Sequence, residues 1–301
     1  MKKSFLPLLV ILTAGTLFSF SKQDPVVLKL NLTEGATYEY STAMDQKITT
    51  SVSGQSYESG VSMASTIEMN VGKKYGNDSM LLQTKYTHMA VNTSAMGQTM
   101  SFDSNDSSNA SGNELGRMFK VMAANPVNIT TDAWGKVIRI DGIDQLSKAV
   151  DASVKGDNPA MKKMMEGLFN EQTYEHAFTN LNMYENKPVN TGDHWNQNIS
   201  MTSFIPMDIH LIYTVKEINS SKVVLSVEGN IKSAKDSASI NGMTIPVHVT
   251  GTQTGTYTID RATGLISTGD IDQDIHTRMS MMGQDMDVET KGNTIITEKQ
   301  K

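Results

Sequence analysis

The sequence predicts an α+β fold that is mainly antiparallel β, with two similar curved, half-barrel-like β-halves and a central helical segment packed on the sheet. Three observations predict it: period-two alternation in long hairpins, similarity between the two ends of the chain, and helical periodicity in the middle. The expected organisation is a signal peptide over 1–21, a first β-half over 22–112, a helical segment with an inserted β-hairpin over 113–187, and a second β-half over 188–301.

The first β-half contains a long hairpin. Apolar and polar residues alternate up to Val71, and Gly76-Asn77-Asp78 then favours a turn before the alternation resumes. Alternate residues of a strand point to the same face of the sheet. The residues expected on the buried face of this hairpin are Ile67, Met69, Val71, Leu82, Thr84, Tyr86 and His88.

The second β-half repeats the pattern around a turn at Asn219-Ser220-Ser221. The residues expected on its buried face are Ile209, Leu211, Tyr213, Val215, Val223, Leu225, Val227, Gly229 and Ile231. The segment that precedes each hairpin also matches, as Gly35-Ala36-Thr37-Tyr38 and Gly192-Asp193-His194-Trp195. Two related halves explain this similarity, and turn chemistry acting alone is the alternative.

Four glycine tips recur between alternating segments and predict four hairpins. A two-residue turn of the primed type needs positive φ angles, which glycine adopts without strain. The tips are Ser53-Gly54-Gln55-Ser56, Met96-Gly97-Gln98-Thr99, Asn241-Gly242-Met243-Thr244 and Met282-Gly283-Gln284-Asp285.

Helical periodicity replaces alternation between the halves. Apolar residues at helical spacing predict a helix over 114–124 that ends before Asn125-Pro126, and a second helix that begins at Ile143. A third helix is expected from Pro159, with an apolar side that carries Met161, Met164, Met165, Leu168 and Phe169.

The N-terminus predicts export. Lys2 and Lys3 precede an apolar run from Phe5 to Phe20, and small residues at Ser19 and Ser21 suit signal-peptidase cleavage. The run is shorter than the ~20 residues of a spanning helix, so cleavage is favoured over retention as an anchor. We therefore expect a soluble periplasmic or extracellular protein. The absence of cysteine excludes disulfides, thiolate metal sites and an acylated-cysteine anchor.

Charge and motif content argue against several functions. A net charge of −6 with scattered Lys and Arg predicts no nucleic-acid partner. The sequence contains none of the common nucleotide-binding, serine-hydrolase or His-Glu-x-x-His zinc motifs, and its six histidines show no ligand-like spacing. We therefore predict that the protein is not an enzyme and has no cofactor. Trp195 is expected to be a core anchor.

One acidic run is the strongest metal candidate. Asp270, Asp272 and Asp274 share a strand face with His276 and together resemble an oxygen-rich cation site. A calcium loop needs glycine and glutamate where Ile275 and Met281 stand. The favoured interpretation is therefore an ordinary half-solvated strand, and the three aspartates stay weak candidates.

Methionine excess is the compositional signal with functional content. The chain has 21 Met, while aromatic residues make up only 6%. Flexible thioethers adapt to varied apolar ligands, although they also fill ordinary cores. The residues predicted to line a hydrophobic ligand site are Met69, Met164, Met165, Leu168 and Phe169.

The mature chain resembles an uncharacterised family of exported Bacteroidetes proteins, classed as a domain of unknown function. The resemblance rests on the signal peptide, Gly35 to Tyr38, the turn at Asp132 to Val137, Ile140-Asp141-Gly142 and the closing β-half. The segment from Ile129 to Val150 also looks like the half-barrels of LolA-like lipoprotein carriers, which implies an apolar-ligand carrier.

The leading functional expectation is a non-enzymatic exported envelope protein that binds a hydrophobic ligand or an envelope component in a Met-lined concavity. Its expected partners are a hydrophobic ligand or an envelope protein, with peripheral membrane contact. The first alternative is a structural or interaction protein that acts through its hairpin tips. The second is a hydrolase of envelope polymers, which requires converging carboxylates.

Overall fold

The computed structural model describes residues 24–76, 79–106, 114–153, 175, 183–201, 205–240, 243–281 and 283–301. Antiparallel strands make up most of them. The strands that precede the helices are β1 (Val26–Val27), β2 (Thr37–Val52), β3 (Gln55–Tyr75), β4 (Ser79–Ala95) and β5 (Gln98–Asp103). The central elements are α1 (Glu114–Ala124), β6 (Val127–Asp132), β7 (Val137–Asp141) and α2 (Ile143–Ser153). The remaining strands are β8 (Pro188–Val189), β9 (His194–Met201), β10 (Met207–Ile218), β11 (Lys222–Ser233), β12 (Ser237–Ile240), β13 (Met243–Asp260), β14 (Ile266–Met281) and β15 (Gln284–Gln300).

One continuous sheet contains thirteen of these strands. Its order is β7-β6-β4-β3-β2-β15-β14-β13-β11-β10-β9, with β5 paired to β4 and β12 paired to β13. The two ends of the chain meet in the middle of the sheet, because β2 pairs with β15 over fifteen residue pairs from Met286↔Val52 to Gln300↔Tyr38. Within the described residues the sheet stays open, with β7 and β9 at its ends.

The predicted α+β class is correct only in its antiparallel β part. The described residues contain two helices of 11 residues each, α1 and α2. Both helices match their predicted positions, and Ile143, Leu146 and Val150 of α2 are buried. The third predicted helix and Val154 lie outside the described residues. None of the helices in the described part of the chain combines the length and the hydrophobicity that a membrane-spanning helix requires.

Both predicted hairpins are present, and the strand register confirms the predicted buried faces except at one position. Ile209↔Ile231 and Tyr213↔Val227 pair in β10 and β11, and the residues predicted on that face are buried or half-buried. The exception is His88. A register shift between Thr66 and Ile67 places an extra residue in β4, so His88 faces the opposite side of the sheet from Tyr86.

Three of the four predicted glycine tips are confirmed as hairpin turns. Ser53 and Met96 have φ angles of 50° and are followed by Gly54 at 79° and Gly97 at 78°, as primed turns require. Gly283 has a φ of 77° in the β14–β15 hairpin. At the fourth tip, the pairing Ile240↔Met243 brackets residues 241–242, which lie outside the described residues.

The matching segments Gly35–Tyr38 and Gly192–Trp195 make the same hydrogen bonds. The amide of Gly35 donates to the Val71 carbonyl at 2.8 Å, and the amide of Gly192 donates to the Val215 carbonyl at 2.8 Å. Each hairpin returns a bond, from the Val71 amide to Ala36 and from the Val215 amide to Asp193, both at 2.9 Å. The sequence similarity is therefore matched by local structure.

An N-terminal segment connects the two halves of the sheet. Leu28, Leu30 and Leu32 are at most 3% exposed and alternate with exposed polar residues. The Leu30 amide donates to the Ala133 carbonyl at 2.7 Å, and the Asn31 amide donates to the Thr263 carbonyl at 2.8 Å. The first acceptor lies in the turn between β6 and β7, and the second lies in the turn between β13 and β14. The segment therefore connects two turns that are about 130 residues apart in sequence. Contacts between residues so far apart in sequence form slowly during folding.

The main hydrophobic core lies on one face of the sheet, under α1, α2 and the N-terminal segment. Its largest aromatic group contains Trp195, which stacks on Tyr213 with ring centroids 5.7 Å apart, and Tyr257, which lies 6.3 Å from Tyr213. Burial raises the pKa of Tyr257 to about 12, so this phenol stays neutral. Trp195 is only 4% exposed, which confirms its prediction as a core anchor.

A charged network on the opposite face yields a stability prediction. Glu39 and Glu68 are register partners, and Lys301 contacts both carboxylates, at 2.7 and 3.0 Å. Lys85 donates to Glu68 at 2.8 Å. The hydrogen bonds from Lys85 and Lys301 lower the pKa of Glu68 to about 2.

We expect Glu68→Gln to destabilise the protein by about 1–2 kcal/mol at pH 7. A carboxylate whose pKa is lower in the folded than in the unfolded state stabilises the fold at pH values above its unfolded-state pKa. That contribution is lost as the pH falls from about 4.5 towards 2, so the two proteins should converge there. Urea unfolding at pH 7, 5 and 3 measures this difference. Glu58→Gln is the control, because its ion pair with Lys47 is exposed on both sides. Equal losses in both variants at pH 7 would contradict the prediction.

Candidate binding groove

The face of the sheet opposite the main core carries polar side chains across many strands. Strand pairing aligns Thr254, Asp272, Asn293, Asp45, Ser62 and Asn92 in one row that crosses β13, β14, β15, β2, β3 and β4. The neighbouring row contains Thr252, Asp274, Lys291, Lys47, Gly60 and Ser94. These rows exist because residues with the same strand parity share a face.

Both rows line one open groove of about 860 Å³, which we call the polar groove. Thr99 and Ser101 of β5 line it together with Thr252 and Thr254 of β13. Five strands lie between β5 and β13 in the sheet, so these two walls would be about 29 Å apart if the sheet were flat. The polar face therefore curves around the groove, and the sheet order brings together residues that are about 150 positions apart in sequence.

The acidic run lies on the polar face, as its alternation predicted. The amide nitrogen Nδ2 of Asn293 donates to Asp270 at 2.8 Å and to Asp272 at 3.0 Å. Asp274 lies 3.8 Å from the Lys291 ammonium and 3.2 Å from Nε2 of His276. Asn293 therefore compensates Asp270 and Asp272 across the strand pair, and Asp274 has Lys291 beside it. The described residues contain no group of three aspartate ligand atoms that could hold one cation.

A second hollow of about 450 Å³, the rim pocket, lies beside the polar groove towards the hairpin tips. It is lined by His248, His276, Arg278, Asp287 and Glu289 among others. Arg278 pairs with Asp287 at 3.1 Å, and Lys291 pairs with Glu289 at 2.6 Å. The Lys291 hydrogen bond lowers the pKa of Glu289, and Glu289 raises the pKa of Lys291 in turn.

The predicted hydrophobic site is not assembled by the described residues. Met69 is 1% exposed and belongs to the main core, and it does not line the polar groove. Met164, Met165, Leu168 and Phe169 lie outside the described residues. Their predicted role therefore stays a prediction.

Exposed apolar side chains lie near two hairpin tips. Met96 is 79% exposed and Tyr57 is 42% exposed. With Val52 and Ala95 they line a hollow of about 500 Å³, the tip hollow. Met100 and Met243, at or near the tips, are also exposed, at 54% and 42%, so methionine meets solvent at more than one hairpin tip.

Sequence reasoning found the polar strands but missed the polar groove. The signal was present in the threonines at 250, 252, 254 and 256, which alternate as regularly as Asp270, Asp272 and Asp274. Alternation alone does not state which strands are neighbours, and the neighbours decide which polar columns face one another.

Comparison with solved structures finds distant matches. Lipovitellin, in a structure that concerns its lipid–protein interactions, shares 10% identity at a TM-score of 0.44, over 89% of this chain and 26% of that chain. The translocator domain of the autotransporter NalP from Neisseria meningitidis shares 7% identity at a TM-score of 0.29, over 88% of this chain and 90% of that domain. An outer membrane channel from Pseudomonas putida F1 shares 8% identity at a TM-score of 0.25, over 92% of this chain and all of that chain.

These structures assign no function to this chain, since all three TM-scores are low. The chain spans about a quarter of the lipovitellin chain that it matches. A search of curated proteins finds no match.

A family model gives the decisive comparison. It matches residues 77–266, which is more than half of the chain, and it describes a family of unknown function. The matched region runs from the turn before β4 through both helices to the start of β14. The expected resemblance to an uncharacterised domain is confirmed: the chain belongs to the family of unknown function DUF6263.

Proposed function

We propose that this protein is a non-enzymatic, exported envelope protein that binds a polar, polyhydroxylated envelope component, such as a glycan, in the polar groove. The observation that carries the proposal is that the two polar rows, which cross six strands, and the neighbouring strand β5 line one groove of about 860 Å³. Export rests on the basic and apolar N-terminus. Two related, curved β-halves, supported by the matched hydrogen bonds at Gly35 and Gly192, form the scaffold in this proposal.

The charges in the polar groove favour a ligand without a large net charge. Asp45, Asp272 and Asp274 face Lys47 and Lys291 within the same lining. A strongly anionic or cationic ligand would meet like charges in either case. Hydroxyl and amide groups fill the remaining positions, and they both donate and accept hydrogen bonds, as sugar hydroxyls require of a partner.

The shape of the polar groove suits a chain-like ligand. Its volume falls within the range of small-molecule sites, about 300–1,000 Å³. Its lining residues are mostly exposed, so the groove is open along its length and a segment of a longer polymer can enter without a free end. Exposed polar contacts are individually weak, and we therefore expect affinity to depend on several of them together.

We infer that the protein does not hydrolyse its ligand, because the carboxylates of the acidic run on the polar face have hydrogen-bond donors or a cation as partners. A general acid needs a pKa raised towards neutrality, which burial or a like charge provides. Asp270 and Asp272 instead accept hydrogen bonds from Asn293, and Asp274 lies beside Lys291.

A hydrophobic ligand is the second candidate, and the tip hollow favours it. Val52, Tyr57 and Met96 offer apolar surface to solvent at the ends of long strands. Flexible Met side chains suit acyl chains or a partner's apolar side chains. If the ligand is hydrophobic, the Met-lined site predicted from Met164, Met165, Leu168 and Phe169 would contribute to binding it as well.

Isothermal titration of the purified protein with soluble peptidoglycan fragments and with detergent-solubilised phospholipid distinguishes the two candidates. We expect binding of the glycan. We also expect Thr254→Leu to weaken it by about 3- to 10-fold, the effect of one lost hydrogen bond. Thr256→Leu is the matched control, because Thr256 is exposed on the same face of β13 and does not line the polar groove. Phospholipid binding that both variants retain would favour the tip hollow instead.

A further inference from the structure

We propose that Asp274, His276 and Glu289 form a binding site for a divalent transition-metal ion, with Zn²⁺ as the reference ion. One ligand atom from each side chain lies within 4.8 Å of the others. Asp274 and His276 are two residues apart on the same face of β14, and Glu289 is the register partner of His276 on β15. The metal proposal does not depend on glycan binding, because it needs no organic ligand, although Asp274 also lines the polar groove.

The distances within this group match a coordination sphere. Ligand atoms about 2.1 Å from a metal ion are about 3.0 Å apart at right angles and about 3.4 Å apart in a tetrahedron. Oδ1 of Asp274 lies 3.2 Å from Nε2 of His276, between these two values. The ligand atom of Glu289 lies within 4.8 Å of the other two, so it needs to approach them by at most about 1.4 Å to reach the tetrahedral separation.

A second observation concerns Oδ1 of Asp274. This oxygen is inaccessible to solvent and makes no hydrogen bond, although the Asp274 side chain as a whole is 41% exposed. Its close approach to Nε2 of His276 lacks hydrogen-bond geometry. Buried carboxylate oxygens are nearly always hydrogen-bonded, so this atom has an unused acceptor that points towards the imidazole.

Lys291 already acts as the resident cation of the group. Its ammonium lies 2.6 Å from Glu289 and 3.8 Å from the other oxygen of Asp274, Oδ2. The Lys291 side chain is flexible and 60% exposed, so its ammonium can leave the two carboxylates as a metal ion binds. We therefore expect Lys291 to compete with the metal ion and to weaken its binding.

The donor set selects the class of metal. One imidazole with two carboxylates suits Zn²⁺, Mn²⁺, Fe²⁺ or Co²⁺, whereas Ca²⁺ and Mg²⁺ prefer oxygen ligands alone. Three protein ligands would leave coordination positions free for water or a further ligand. Asp274 lines the polar groove while His276 and Glu289 line the rim pocket, so the ion would lie at their junction.

Titration of the purified protein with ZnCl₂ in a non-coordinating buffer tests the proposal. We expect one saturable site per chain and a loss of at least ~10-fold in His276→Ala, because losing even an outer partner of a metal ligand costs about 10- to 100-fold. Lys291→Met should bind Zn²⁺ at least about 5-fold more tightly, since a unit charge about 4 Å away repels a cation even in water. His276 and Lys291 are 57% and 60% exposed, so neither change removes core packing, and circular dichroism checks the fold.

His210→Ala is the matched control, because His210 lies on the same polar face and hydrogen-bonds Asn198 at 2.7 Å, away from this group. Its affinity for Zn²⁺ should equal that of the original protein. Two results would overturn the proposal. One is binding that survives His276→Ala, whether or not His248→Ala removes it. The other is the absence of saturable binding of Zn²⁺ or Co²⁺ to the Lys291→Met variant at millimolar metal.

Discussion

Replacing Gly264 by alanine should destabilise the protein by about 3 kcal/mol or more. Gly264 has a φ of +73°, where an L-residue costs about 1–2 kcal/mol. A Cβ at this position would also overlap the backbone carbonyl of Lys29 and lie 2.7 Å from its carbonyl carbon. Overpacking against a backbone atom adds about 1–3 kcal/mol, because the N-terminal segment must move.

The consequence extends beyond the turn. The carbonyl of Gly264 accepts a hydrogen bond from the Tyr184 hydroxyl, and the adjacent Thr263 carbonyl holds the Asn31 amide. Displacing the N-terminal segment therefore disturbs the connection between the two halves. Denaturant unfolding followed by circular dichroism measures the loss.

Gly35→Ala is the control for the conformational part of this effect. Gly35 has a φ of +81°, and nothing lies within 4 Å of a Cβ placed there. Gly35→Ala should lose only about 1–2 kcal/mol of stability, which is the cost of placing an L-residue in the left-handed conformation. If Gly264→Ala lost no more stability than Gly35→Ala, the close approach of the N-terminal segment to Gly264 would not contribute to the destabilisation.

Trp195→Ala should cost about 3–5 kcal/mol, the usual cost of truncating a buried tryptophan. Trp195 is 4% exposed and stacks on Tyr213. Its Nε1 also donates a 2.7 Å hydrogen bond to the Met183 carbonyl, which anchors the segment before β8 to the sheet. Removing the ring leaves a cavity in the core and an unpaired buried carbonyl.

The variant Trp195→Phe separates these two contributions. It keeps an aromatic ring but cannot donate to Met183, so we expect a loss of about 1–3 kcal/mol. Trp134→Phe is the control, because Trp134 is only half-buried in a turn and should lose less than about 1 kcal/mol. Urea unfolding followed by circular dichroism avoids relying on tryptophan fluorescence. A ligand-stacking role for Trp195 would instead predict unchanged stability in Trp195→Phe.

The elements that local chemistry specifies were predicted well. Alternation placed β10 and β11, helical spacing placed α1 and α2, and glycine placed the tips at Gly54 and Gly97. His88 was assigned to the wrong face because a single extra residue in β4 reverses the side-chain direction beyond it. The sequence signal of this shift was that the apolar residues beyond it, Met89 and Val91, occupy odd positions, whereas Leu82 and Tyr86 occupy even ones.

The candidate sites depended on information that the alternation does not contain. Asp274 was predicted on a polar strand face, but its partners Lys291 and Glu289 belong to β15 and became visible only with the strand register. Met69 was predicted to line a ligand site and lies in the core of the described residues; the four residues predicted with it lie outside them, so that site stays a prediction. Burial of an apolar residue and exposure to a ligand give the same alternation, so sequence could not separate them.

The amino-acid sequence by itself determined the local structure: strands and their faces, the turns and the short helices, because these follow from side-chain periodicity and the φ angles of glycine within a few residues. The tertiary structure alone decided that β2 pairs with β15, that the polar columns of seven strands line one groove, and that Asp274, His276 and Glu289 meet. The physical reason is that strand neighbours are selected by the burial of the whole apolar face, to which residues far apart in the chain contribute together.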